Sequence, residues 1–162
     1  IEISPGFRVE HMGKIEYNSL FTRVVSLKAG IVPVDVAKPG GLIGIGTLLD
    51  PSLTKADSLV GNVVGHPDTL PPLWYDLSFE FHLLKWVVGL KKPLRVEPLK
   101  FREPLMINVG AATTLGFVDS LSKDEAHISL RRPVCADVDS RIAISRRVGG
   151  RWRLIGYGFI KG

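Results

Sequence analysis

Four histidines, His11, His66, His82 and His127, and one cysteine, Cys135, are the residues of this 162-residue chain best suited to acid–base, nucleophilic or metal chemistry. None has the neighbours that such chemistry needs. There is no His-Glu-x-x-His pair and no Gly-x-Ser-x-Gly elbow, and Cys135 lies in the apolar run Pro133-Val134-Cys135-Ala136 with no base beside it. His127 follows Asp124 and Glu125, which imitates a catalytic pair. Its segment alternates apolar and polar residues, however, and that pattern predicts a solvent-facing ring. A phosphate cradle needs glycine-supplied amides and a lysine, and no Gly-x-x-x-x-Gly-Lys-Ser/Thr occurs. The chain is therefore expected to have no catalytic residue, no metal site and no nucleotide cofactor of its own. A lone cysteine cannot close an internal disulfide, so a buried structural thiol in a cytosolic protein is expected.

The cations offer a second kind of chemistry. The net charge is +5, and it is unevenly distributed. Residues 1–66 hold six Lys/Arg against six Asp/Glu, whereas residues 67–162 hold fifteen against ten. An acidic partner such as RNA fits this balance, as does a soluble surface with a basic bias. The densest run is Arg146-Arg147-Val148-Gly149-Gly150-Arg151-Trp152-Arg153, which reads as an arginine-rich hairpin about a Gly-Gly turn. Arginine forks onto phosphates, so Arg146, Arg147, Arg151 and Arg153, with Arg131 and Arg132, are candidates for RNA contact. A solvated hairpin packed by Trp152 is the alternative.

Short strands must position these residues. In residues 73–84, Leu77, Phe79, Phe81 and Leu83 alternate with Asp76, Ser78, Glu80 and His82, a period of two with one polar face. Residues 125–130 alternate likewise. Further strands are expected at 14–17, 20–27, 42–48, 62–64, 105–109, 114–120, 141–147 and 152–160. Asp50-Pro51 predicts one short helical turn, with aspartate as N-cap and proline at the first position. Many short strands among seventeen glycines and eleven prolines imply an all-β chain of barrels or sandwiches. Gly65-His66-Pro67-Asp68-Thr69-Leu70-Pro71-Pro72 reads as an extended connector, dividing the chain into units at 1–66 and 67–162. No apolar run approaches the roughly 20 residues of a membrane span, and a chain opening Ile1-Glu2-Ile3 reads as a fragment or a processed product.

The stretch Pro39-Gly40-Gly41-Leu42-Ile43-Gly44-Ile45-Gly46-Thr47-Leu48-Leu49-Asp50-Pro51-Ser52-Leu53-Thr54-Lys55-Ala56-Asp57 resembles a continuous signature of the gamma subunit of archaeal or eukaryotic translation initiation factor 2. Leu70-Pro71-Pro72-Leu73-Trp74, Leu83-Leu84-Lys85-Trp86-Val87-Val88-Gly89, Leu130-Arg131-Arg132-Pro133-Val134, Ile144-Ser145-Arg146-Arg147 and Arg151-Trp152-Arg153-Leu154-Ile155-Gly156-Tyr157-Gly158 are similar to it as well. The resemblance is colinear across essentially the whole chain. It implies two small β-barrels of the kind that follow the nucleotide-binding domain in relatives of elongation factor Tu. Residues 1–66 would be part of domain II and 67–162 the whole of domain III. The family's P-loop, DxxG and NKxD elements have no counterpart here, so GTP and Mg belong to the parent protein. The first strands of the family's barrel II also have no counterpart here, and the first unit is accordingly expected to be the less stable.

By the same resemblance, the parent delivers initiator methionyl-tRNA to the small ribosomal subunit, together with alpha and beta subunits of the same factor, and has no membrane partner. The tRNA acceptor end would lie against strands 22–28 and 41–47. There Arg23 and Lys28 would meet phosphates or, for Lys28, the terminal base. Val25 and Ser26 resemble an adenosine pocket, and Gly44 and Gly46, beside Thr47, leave backbone open to the ligand. Two ordinary strands with solvated cations are the bland alternative. The loop Gly30-Ile31-Val32-Pro33-Val34-Asp35-Val36 is a candidate contact for the alpha subunit through Ile31, Val32, Val34 and Asp35, unless its aliphatics fold back onto the barrel. Two other functions compete: a selenocysteine-specific elongation factor, against which residues 40–57 argue, and a stand-alone protein-interaction barrel.

Overall fold

The computed structural model describes all residues, Ile1–Gly162. They fall into two compact units, Ile1–Leu70 and Pro71–Gly162, and every regular element except one 3-10 turn is a strand.

In the first unit, β1 (Glu2–His11), β2 (Lys14–Phe21) and β6 (Val63–Gly65) form a sheet in the order β2-β1-β6. A second sheet has the order β4-β3-β5, from β3 (Val24–Ala29), β4 (Val32–Pro33) and β5 (Ile43–Thr47). β1 escaped the sequence reading because Pro5-Gly6 interrupts its alternation, and the register with β2 shifts between Ile3 and Phe7 at that point. Gly6 has a φ of +79°, and a Cβ there would overlap the backbone of Asn18. The expected strand 20–27 is split, with β2 ending at Phe21 and β3 starting at Val24. The expected helical turn is a 3-10 helix, Pro51–Thr54, whose N-cap Asp50 accepts a hydrogen bond from the Ser52 amide at 2.8 Å. The unit buries little apolar surface: Ile3 and Leu20 are its only buried hydrophobic residues.

The second unit is a closed six-stranded barrel. Its strands are β7 (Leu73–Leu83), β8 (Pro104–Val109), β9 (Ala112–Leu121), β10 (Glu125–Cys135), β11 (Arg141–Val148) and β12 (Arg151–Lys161), in the order β10-β7-β12-β11-β8-β9. Alternate residues of each strand point inward. Leu77, Phe79, Leu105, Ile107, Val118, Ile128, Ile142, Ile144, Ile155 and Ile160 are fully buried. Each such side chain contributes roughly 1.5–3 kcal/mol relative to exposure. Gly158 keeps β12 close to β7, since a Cβ there would run into the carbonyl oxygen of Glu80. Leu99 and Val87, from the long β7–β8 connection, complete the core. β10 runs past the expected end at Leu130, through an irregularity between Ser129 and Val134 that carries Arg131, Arg132 and Pro133.

Candidate nucleic-acid interface

The two glycines and two polar residues proposed for a ligand wall lie opposite one another on β3 and β5. Ser26 pairs with Gly46, and Lys28 pairs with Gly44. Because positions two apart on a strand share a face, these four residues form one stripe. A Cβ on Gly46 would overlap the Ser26 hydroxyl, and one on Gly44 would sit 3.6 Å from the Lys28 Cβ. The Ser26 hydroxyl thus fills the space beside Gly46, and the backbone stands open only at Gly44, beside Lys28. Val25, exposed, sits at a register shift between Val24 and Ser26. Thr47 pairs with Val24, and its hydroxyl accepts from the Leu49 amide at 3.4 Å. Arg23 is exposed and lies outside both strands, in the gap between β2 and β3.

The neighbouring loop is held at its base, where the Gly30 amide donates to the Leu42 carbonyl and the Val34 amide to that of Leu27. Ile31 is 92% exposed, and Val32 and Val36 are exposed too. Val34 is half-buried and Asp35 exposed. Three of the four aliphatics therefore stand in solvent.

The barrel arginines divide into different roles. Arg147 and Arg151 are exposed near the Gly149-Gly150 turn. Arg131 is exposed and Arg132 half-buried, the backbone of Arg132 both donating to and accepting from the Thr114 hydroxyl. Arg153 is half-buried, with its Nε–H enclosed and unpartnered. Arg146 differs from all of these. Its guanidinium pairs with Glu103 through Nε and through Nη2 at 3.0 Å, and donates at 2.9 Å to the carbonyls of Glu97 and Pro98. The side chains of Arg146 and Glu103 are only 15% and 13% exposed. Arg146 is thus a clamp on the segment before β8, facing protein rather than solvent. Sequence reasoning missed Glu103 because nothing local links it to an arginine 43 positions away.

The histidines make structural pairs. His127 lies 3.0 Å from an Asp76 oxygen and 3.7 Å from one of Asp119, rather than against Asp124 or Glu125, and His82 lies 3.2 Å from Glu80. No group of three or more His, Cys, Asp or Glu is arranged to hold a metal ion, Cys135 is buried with its thiol donating to the Pro71 carbonyl at 3.1 Å, and no helix is long and apolar enough to cross a membrane.

Residues 75–160 match the family described as "Initiation factor eIF2 gamma, C terminal". The chain is similar to translation initiation factor 2 subunit gamma from Thermococcus onnurineus (strain NA1), with 56% identity over 161 residues, covering 99% of this chain and 39% of the relative. The corresponding subunit from Pyrococcus furiosus has the same identity and coverage. That from Methanopyrus kandleri is 55% identical over 162 residues, covering 100% of this chain and 39% of the relative. The chain thus spans about two fifths of the length of these curated relatives.

Proposed function

The chain belongs to the gamma-subunit family of translation initiation factor 2, and we propose that it supplies the part of such a factor that holds the acceptor end of initiator methionyl-tRNA during delivery to the small ribosomal subunit. The first unit corresponds in this reading to part of domain II and the barrel to domain III. GTP and Mg2+ would be held by a nucleotide-binding domain of the longer cytoplasmic protein, which would work together with alpha and beta subunits.

The observation that carries the reading is the stripe Ser26–Gly46 and Lys28–Gly44. The missing side chain at Gly44 lets a sugar–phosphate or terminal base approach the backbone, the Ser26 hydroxyl beside Gly46 offers a hydrogen-bonding group, and Lys28 supplies the charge that a phosphate or base would meet. Val25, Thr47 and Arg23 border it. The exposed Ile31 and Val32, with Val34 and Asp35, suit the alpha subunit, because solvated aliphatics on a short loop gain most from being covered. Among the arginines, Arg131, Arg132, Arg147, Arg151 and Arg153 remain the candidates for RNA contact, since Arg146 is engaged by Glu103.

The test uses the full-length gamma subunit with Arg23→Ala and Lys28→Ala together, titrated with aminoacylated initiator tRNA at several salt concentrations. Two lost phosphate contacts make the log–log salt dependence shallower by about 1.5, and affinity drops roughly tenfold at low salt. Unchanged affinity and slope would remove the wall from the tRNA site.

A further inference from the structure

The connection between β7 and β8 carries a charge pattern that the wall reading leaves unused. Residues 81–96 contain no Asp or Glu, and neither do residues 140–162. The structure brings these two acid-free segments together. Residues 85–96 fold into a narrow ribbon, in which the Val87 amide donates to the Leu94 carbonyl at 2.9 Å, the Val96 amide to that of Lys85 at 3.3 Å, and Trp86 bridges Arg95. The ribbon lies along the start of β12, with the Val88 amide donating to Leu154 at 3.1 Å and the Leu84 amide to Ile155 at 2.8 Å. Gly89 sits against the Arg153 guanidinium: a Cβ there would lie 2.7 Å from Nη1.

Lys85, Lys91, Lys92, Arg95, Arg151 and Arg153 are thereby gathered on one part of the barrel surface, and none of them is in an ion pair. The nearest acids along the chain and clamp are already engaged, Glu97 by Lys100 and Glu103 by Arg146. Among the cations Trp86 is 46% exposed, with the Lys85 ammonium 5.6 Å from its ring centroid. Unpaired cations tend to bind a polyanion, and an exposed indole among them offers a face on which an unpaired base can stack.

We infer that the ribbon 85–96 and the adjoining start of β12 form a second RNA-binding surface, one that takes single-stranded RNA by phosphate neutralisation and stacking on Trp86. The inference deepens the RNA contact proposed above for Arg151 and Arg153, and rests on that reading for its partner class. It adds Lys85, Trp86, Lys91, Lys92 and Arg95, and it does not depend on the Lys28 wall.

The experiment measures fluorescence anisotropy of a labelled oligouridylate of about 12 nucleotides with the 162-residue chain, from about 50 mM salt upward. The variant Lys91→Ala/Lys92→Ala/Arg95→Ala is expected to bind at least about tenfold more weakly, with a salt slope shallower by about 2, since each lost single-strand phosphate contact removes about 0.7. Trp86→Ala is expected to lose roughly tenfold, whereas Lys123→Ala, at an exposed lysine outside both surfaces, binds like the parent chain. No binding at about 50 mM salt, or unchanged affinity in the triple variant, overturns the inference. So does polyglutamate of matched charge competing as well as RNA, which would mark an acidic protein as the partner. Tight binding of duplex RNA with Trp86→Ala neutral overturns the single-strand assignment. Loss of binding only in the wall variant Arg23→Ala/Lys28→Ala also overturns the inference, while leaving the tRNA wall standing.

Discussion

Replacing Arg146 by alanine is expected to unfold the barrel far more readily without changing its RNA affinity when folded. The guanidinium makes four hydrogen bonds, two of them to the Glu103 carboxylate and two to backbone carbonyls. Both charged side chains are mostly buried, so truncating one leaves the other poorly solvated. Breaking a buried pair in this way typically costs about 3–5 kcal/mol. The Lys100 amide still donates to Glu103 at 3.0 Å after the substitution, which places the expectation at the lower end, about 3 kcal/mol. For a domain of this size each kcal/mol moves the midpoint by about 4–8 °C, so the barrel transition should fall by roughly 12–24 °C. Urea and thermal unfolding followed by near-ultraviolet circular dichroism provide the measurement, and the double variant Arg146→Ala/Glu103→Ala closes the cycle. The double variant should be much less unstable than the sum of the two singles, since neither then strands a buried charge. A loss below about 1 kcal/mol, or additive single effects, would refute the clamp.

Hydrogen exchange should show lower protection throughout Ile1–Leu70 than in the barrel, because only Ile3 and Leu20 of that unit are buried hydrophobics whereas the barrel encloses a continuous core; equal protection of the two units would contradict this. The pH dependence has two opposite signs. The Ser52 hydroxyl and amide hold the Asp50 carboxyl below its ordinary range, so its contribution to stability is present above the ordinary aspartate value and lost as pH falls through the lowered one. The hydrogen bond with Glu125 holds the Lys161 ammonium above its ordinary range, so its contribution is present below the ordinary lysine value and lost as pH rises through the raised one. Both residues are exposed, so NMR titration of the two side chains is the suitable readout, and midpoints at ordinary values would refute the pairings.

The sequence by itself determined what depends on near neighbours. The alternation of Leu77 and Phe79 with Asp76, Ser78 and Glu80 sets which face of β7 is buried, because side chains two apart share a face in any strand. Asp50-Pro51 starts the turn at Pro51 because cap and proline act within three residues. Where the local pattern failed, an irregularity intervened: Pro5-Gly6 hides β1, and the bulge beyond Ser129 conceals the rest of β10. Only the tertiary structure decided which groups far apart in the chain meet. Arg146 finds Glu103 across 43 positions, and His127 finds Asp76 across 51. The ribbon 85–96 meets β12 by the same kind of long-range pairing. Closure of the barrel fixes these meetings, since strand order is set by how six twisted strands share one core, and no preference of a few neighbouring residues encodes it.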